Sequence, residues 1–556
     1  MTQRTSTDDS PATDGAGSDE SADAAGTTAG RVAPVVPEAV RRRLSPRVPS
    51  WDWLSWAATA WVVGIAALLR LVGLGFPGTK IFDEVYYATE GAEMLQHGVE
   101  WRTETDSAGA TVGSHADFVV HPPLGKWMIG LGIKIFGDNA FGWRFAAAIV
   151  GILSVLIITR TARRMFGSTV LGCAAGLLMA LDGMHLVLSR TAILDVFVTF
   201  FILAAFACLV LDRDARRRRW LRELEIGLDP TRPGRASRPR FGWASVPWWR
   251  LAAGLLLGLG CAVKWSAIFF VPVFVVLIVF WEVGARRSAG ARHPWRDTLL
   301  DETGWIVAFG GLIVAAYLAS WAGWFASDDG WKRHFLLSQG ESEPPVLGAL
   351  WNLLQYHLEI WNFHKGLSTA HQYQSWPWQW LILGRPVAFY WSSDANCGET
   401  SCAAEILLLG TPVLWWSFVP ALVGLVWFGV SRRDWRAWAI GLGVFAGIGP
   451  WFYFELKHRT MFYFYALPAE PFLILAVVYV LGALINGPGV GRLGGGRVRT
   501  ALSLPAEDRR LYGTLFAAAY VLLVALCFWW YYPLYVGHSI PYDDWLRHML
   551  LGNRWV

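Results

Sequence analysis

Eleven apolar windows, each long enough to cross a hydrocarbon core of about 30 Å, dominate this chain. They lie near residues 53–74, 139–160, 168–187, 192–211, 248–264, 266–283, 304–324, 411–430, 437–454, 462–484 and 511–532. Backbone in hydrocarbon must satisfy its own hydrogen bonds, which a helix does within the segment. The expected fold class is therefore an all-α polytopic membrane protein of about eleven transmembrane helices. Composition agrees: 54% of the 556 residues are hydrophobic and 16% are charged, against about a quarter charged in soluble domains.

Basic clusters set the orientation. Arg160, Arg163 and Arg164, the run RDARRRRWLR from 213, GARRSAGAR from 284, SRRDWR from 431 and GRLGGGRVR from 491 fall at alternate helix ends. By the positive-inside rule they share one side. The N-terminus is then expected in the cytoplasm, with two large loops, 75–138 and 325–410, outside a cell membrane. The net charge of +5 consists of topological markers and membrane-surface contacts and gives no sign of a nucleic-acid partner. Residues 1–45, rich in Ser, Thr, Ala, Gly and Asp near the start, read as a disordered cytoplasmic tail. Residues 212–247 read as a cytoplasmic connector and 486–496 as a flexible one. Residues 46–556 form a single membrane-embedded domain. Cys173, Cys208, Cys261 and Cys527 sit in apolar segments. Cys397 and Cys402 sit in an outer loop, where an oxidising compartment permits a disulfide that spacing alone does not establish.

The chemically suggestive residues gather at the outer boundary: IFDEVYYATEG from 81, HPPLGKW from 121, SRTAILDVF from 189, AVKWSA from 262 and ELKHRTMFYFY from 455. The mid-helix runs are mostly clean Leu, Ala, Val and Gly, unlike a transporter with midplane charges. A site outside the cell and against lipid has no nucleotide supply, so its activated substrate should arrive on a lipid, as a sugar on a polyprenyl phosphate does. Transfer needs a base for the acceptor hydroxyl, cations for the departing phosphate, and groups that hold the sugar.

Asp83 or Glu84 supplies the base. Helical neighbours point about 100° apart, so the pair cannot share one task; one activates the acceptor while the other orients a partner. The alternative is that both merely solvate the loop. His121, Lys126, Lys264, Lys457, His458 and Arg459 are candidate phosphate ligands. Lys264 interrupts LGLGCAVKWSAIFFV, where a charge is either functional or snorkels to the surface. Asp195 lies near a helix start, where the dipole also favours an acid. Arg144 stands inside an apolar helix. No clustered His/Cys ligand set is apparent, so neither a metal nor another cofactor is expected.

At these residues the sequence resembles the protein O-mannosyltransferase family, specifically its actinobacterial members. FDE at 82–84 is similar to the family's Asp-Glu signature, HPPLGKW to its first-loop HPP motif, RTAILDVF to its R-x-x-(I/L)-L-D segment, and VKWSA to its lysine-tryptophan motif. The similarity continues through KHRTMFYFYALPAEPF. The resemblance implies a GT-C glycosyltransferase fold with short helices in the outer loops. It implies transfer of mannose from polyprenyl phosphate mannose to Ser or Thr of exported proteins, with inversion. It makes Asp83 the base and Glu84 a second essential acid. His121, Lys126, Arg144 and Lys264 are then expected near the lipid phosphate, Asp195 as an orienting acid, and Arg459 at the donor. The 325–410 loop is too short for the MIR module of fungal and animal members, so acceptors must be read by the membrane groove, by this loop or by adjacent export machinery. Rival readings are a lipid-linked arabinose or aminoarabinose transferase acting on a glycolipid, and a lipid-linked sugar flippase.

Overall fold

The computed structural model describes residues 36–46, 52–107, 110–232, 245–394, 396–486, 505–552 and 555. A short helix, α1 (Glu38–Leu44), precedes the first crossing, α2 (Trp53–Leu71). The first large loop contains α3 (Glu84–His97), a hairpin of β1 (Trp101–Thr105) and β2 (Thr111–Ala116), and α4 (Leu124–Phe136). Then come α5 (Ala140–Phe166), α6 (Thr169–Ala180), α7 (Gly183–Leu188), α8 (Leu194–Glu225), α9 (Trp248–Val263), α10 (Phe270–Ala289) and α11 (Pro294–Ser320). The second large loop holds α12 (Ala322–Ala326), α13 (Phe335–Ser338), α14 (Leu347–Gly366), α15 (Pro377–Trp380), β3 (Val387–Ser392) and β4 (Cys402–Leu408). The chain continues through α16 (Pro412–Arg432), α17 (Trp435–Ile448), α18 (Trp451–Leu456), α19 (Glu470–Asn486), α20 (Ala506–Val536), β5 (Ile540–Pro541) and α21 (Tyr542–His548).

Among the described residues nine helical segments are long and apolar enough to span a bilayer, and α6 and α9 are shorter apolar helices. Every one of the eleven apolar windows thus carries a helix. The window at 168–187 is broken because Asp182 leaves the helix to accept from Thr411 N, Trp415 Nε1 and His185 N. Burial ranks the spans: the α8 window and the Tyr463–Ile485 window are 78% buried and central, while those of α11 and α20 are 17% buried. The apolar side chains that α11 and α20 expose, such as Val307, Leu523 and Trp529, face the lipid that their spanning length requires.

Three expectations change. Residues 1–35 of the proposed tail lie outside the described residues, but Glu38–Leu44 is helical and its Leu44 is buried with Trp220, Leu224, Ala285 and Ala289. The connector expected from 212 is helix as far as Glu225. Its charged residues are held by ion pairs: Arg164 with Asp214, Arg250 with Asp212, and Arg216 with Glu282 and Glu302. The Gly-rich stretch from 487 lies outside the described residues. Strands also enter the loops. β3, β4 and β5 form an antiparallel sheet in that order, and Cys397 is disulfide-bonded to Cys402 at its rim.

Helices α3 and α4 cross at Gly91 and Gly130. A Cβ on Gly130 would sit 2.8 Å from the Gly91 carbonyl oxygen, so only glycine permits the approach. That crossing fixes the helix that begins just after Asp83 against the one that carries Lys126.

Candidate active site

The adjacent acids part at the first turn of α3. Glu84 turns inward and is fully buried. Its Oε1 accepts from Arg144 Nε at 2.7 Å and Ala192 N at 2.9 Å, and its Oε2 from Arg144 Nη2 at 2.8 Å and Ile81 N at 3.0 Å. Arg144 also donates to the carbonyls of Leu74, Pro77 and Thr79. All five of its N–H donors are therefore occupied. Expected near the lipid phosphate, Arg144 has no donor left for one. It ties the loop before Asp83 to Glu84, and Glu84 ties that loop to the turn preceding α8.

Lys126 departs from expectation for the same reason. Its buried ammonium meets Glu100 at 2.9 Å, the His121 carbonyl at 3.1 Å and Glu90 at 3.4 Å, which uses its three hydrogens. It braces the first large loop. Lys457 and His458 are exposed at the end of α18, and neither has an ion pair among the described residues.

Asp83 is left available. No side chain or backbone group hydrogen-bonds its carboxylate among the described residues; Asp83 stands at the N-cap of α3, but its side chain makes no capping bond. Phe82 before it has φ of +48°, a region costly for an aromatic residue. The Phe82 ring stacks on Phe389 of β3 at 4.5 Å and meets Phe464 edge-on at 5.9 Å. Those contacts hold the strained turn that presents Asp83. Burial pushes the Asp83 carboxyl up to about 6; the nearby Lys264 ammonium pulls it down and Asp195 pushes it up.

Lys264 breaks the helix that carries it. It has extended backbone (φ −155°, ψ 135°) between α9 and a 3₁₀ turn, Trp265–Phe269. The residue is 7% exposed, which removes the snorkelling alternative. Its Nζ donates to both carboxylate oxygens of Asp195, at 2.9 and 3.0 Å, and lies 4.6 Å from the Tyr465 ring centre. One ammonium hydrogen remains free to face a ligand. Asp195, the second residue of α8, thus positions this cation.

His121 enters as a neutral ring. Burial, with Lys264, His364, Lys126 and Arg459 around it, drives its pKa well below the usual value. It offers a hydrogen bond to a ligand but no fixed charge. Its ring lies 5.3 Å from His364 and 6.1 Å from Tyr87. Burial and Arg459 lower His364 to about 4. With Nε2 donating to the Val120 carbonyl at 2.9 Å, His364 Nδ1 accepts from Arg459 Nη2 at 3.4 Å. The other terminal nitrogen of Arg459, Nη1, is buried without a partner among the described residues. The guanidinium is ringed by Trp451, Phe454 and Tyr465 at 5.8–5.9 Å. An unmet, buried N–H on a cation is where an anion belongs.

The structure therefore gathers Asp83, His121, Asp195, Lys264 and Arg459, and places Glu84, Lys126 and Arg144 in its supporting pairs. Sequence reasoning left Tyr87, Trp265, His364 and Tyr465 unassigned. Tyr87 follows Asp83 by four residues, one helical turn, so spacing could have found it. His364 comes from the far end of α14, and no spacing links it to the first loop.

The site thus sets a carboxylate beside the Lys264 ammonium within a multi-helix membrane fold. In fold the chain is similar to the S. cerevisiae protein O-mannosyltransferase Pmt1-Pmt2 complex bound to the sugar donor, with a TM-score of 0.63 and 15% identity over 90% of this chain and 92% of that one. Its fold is that of a polytopic membrane protein of the GT-C class. Residues 120–227 match the family model for dolichyl-phosphate-mannose-protein mannosyltransferase, and residues 349–555 that for the C-terminal four TMM region of protein-O-mannosyltransferase. A polyprenol-phosphate-mannose--protein mannosyltransferase of Mycolicibacterium smegmatis is 39% identical over 93% of this chain and 96% of its own length. One from Mycobacterium tuberculosis is 37% identical over 88% and 90%. The chain belongs to the polyprenol-phosphate-mannose--protein mannosyltransferase family.

Proposed function

We propose that this enzyme transfers mannose from a polyprenyl phosphate to Ser or Thr hydroxyls of exported polypeptides, on the extracytoplasmic face of the cell membrane. The observation that carries the mechanism is the unpartnered Asp83 carboxylate beside Lys264, with the orphan Arg459 Nη1 in the same basin. The acceptor oxygen attacks the anomeric carbon while its proton passes to Asp83. The bond from that carbon to the phosphate oxygen breaks, and the leaving polyprenyl phosphate keeps the electron pair. Attack from the side opposite the leaving group inverts the centre. Lys264 and Arg459 meet the charge that grows on the phosphate, and His121 and His364 offer neutral hydrogen bonds. Direct displacement needs no Lewis acid, so neither a metal nor a cofactor is part of this reading.

The test incubates membranes containing the protein with labelled polyprenyl phosphate mannose and a Ser/Thr-rich peptide. Label should become covalently attached to the peptide, and an aminoarabinose donor should be inert. Label that crosses the bilayer without joining the peptide would replace transferase by flippase.

Two further outcomes follow. The base must be ionised, so kcat/KM should rise with pH through about 6, the value to which burial lifts Asp83. At pH 5 it should be about tenfold below its plateau, as the ionised fraction falls to about a tenth. A flat profile between pH 5 and 7 would remove Asp83 as base. Arg459→Gln should lower kcat/KM for the lipid donor by roughly ten- to hundredfold, the worth of a charged hydrogen bond. Peptide KM should not move, and equal losses for donor and peptide would place Arg459 elsewhere.

A further inference from the structure

The most basic stretch of the chain lies far from Asp83. α8 has 32 residues and so runs about 48 Å, roughly 18 Å more than a hydrocarbon core. It starts beside the site with Asp195 and projects its last turns past the opposite face of the bilayer. There Ala215, Arg218, Arg219 and Arg222, three and four residues apart, share one side of the helix. With Val246, Pro247, Trp248 and Trp249 at the start of α9 they line a cavity of about 550 Å³.

Charge inside this cavity is one-sided. Among the described residues its one lining carboxylate, Asp212, is taken by Arg250 at 2.9 Å. Arg216 is taken by Glu282 and Glu302. Neither Arg218 nor Arg222 has a carboxylate partner among the described residues, and both are exposed. Trp248 and Trp249 are 56% and 46% exposed, as indole rings are at the depth of lipid headgroups. A purely topological arginine need only lie in the right loop. These line a concavity whose floor is already neutral and whose wall is aromatic.

We infer that this cavity binds the phosphodiester headgroup of an anionic phospholipid from the leaflet opposite the active site, with Arg218 and Arg222 on the phosphate and the two indoles against the glycerol and upper acyl chains. The lipid clamps the ends of α8 and α9, the helices whose far ends bear Asp195 and Lys264.

The test uses the full chain in nanodiscs of phosphatidylcholine alone, of phosphatidylcholine doped with phosphatidylglycerol, and of phosphatidylcholine with inorganic phosphate in the buffer. Phosphatidylglycerol alone should raise the unfolding midpoint and stay bound in native mass spectra. Arg218→Gln/Arg222→Gln, at two exposed positions that leave the fold intact, should weaken retention roughly thirtyfold and abolish the shift, at about 1 kcal/mol per arginine. An undiminished phosphatidylglycerol effect in the double variant would overturn the site. A midpoint and lipid retention in phosphatidylcholine alone equal to those with phosphatidylglycerol would overturn the charge preference, and a shift from inorganic phosphate would overturn the lipid as its source.

Discussion

Asp83→Asn should cut mannosyl transfer about 10² to 10⁴-fold, the usual worth of a general base, while donor binding and the unfolding midpoint stay close to those of the parent. The reason lies in what Asp83 does not do. Its carboxylate caps no helix and accepts no hydrogen bond among the described residues, so the amide removes charge and basicity without breaking a contact. Steady-state transfer with saturating donor gives the rate, and retention of the lipid donor by the purified variant gives binding. Turnover within a few-fold of the parent would end the assignment.

Glu84→Ala should behave differently from its neighbour, with about 3–5 kcal/mol of stability lost, because it leaves the Arg144 guanidinium buried and unpaired. Activity will vanish as well, so turnover alone cannot tell support from chemistry. The double variant Glu84→Met/Arg144→Met separates them: it should recover only part of the unfolding midpoint, since the lone buried charge is gone but the carbonyls of Leu74, Pro77 and Thr79 lose their donor, and it should stay inactive. A Glu84→Ala protein with a normal midpoint and no turnover would make Glu84 a participant in catalysis.

Helix positions were legible because a bilayer sets one strong length rule, and every apolar window carries a helix. Breaks inside the windows were less so. Asp182 ends α6 by bonding to Thr411 and Trp415, more than two hundred residues away, and no local pattern records that. The same limit applied at the site. Lys126, Arg144 and Lys264 look alike in sequence, each a cation in an apolar setting. Their partners distinguish them: Arg144 and Lys126 are saturated by groups around them, and Lys264 keeps one hydrogen. Charge type was readable, and donor availability was a property of the fold. The strands were missed for a related reason. β3 and β4 pair across a disulfide-closed loop, and a search for membrane windows gives such short segments no weight.

The bracing of Asp83 also has a consequence for biogenesis. The turn at Phe82 rests on Phe389 of β3, β3 pairs with β4, and β4 is completed by β5 and by Trp545, which donates to Glu405 at 2.5 Å. The residues that finish this brace follow α20, so the ribosome makes them more than four hundred and fifty positions after the carboxylate they support. A chain still being inserted carries Asp83 on an unbraced turn. Assembly of the brace around Asp83 is thereby tied to the closing stages of translation.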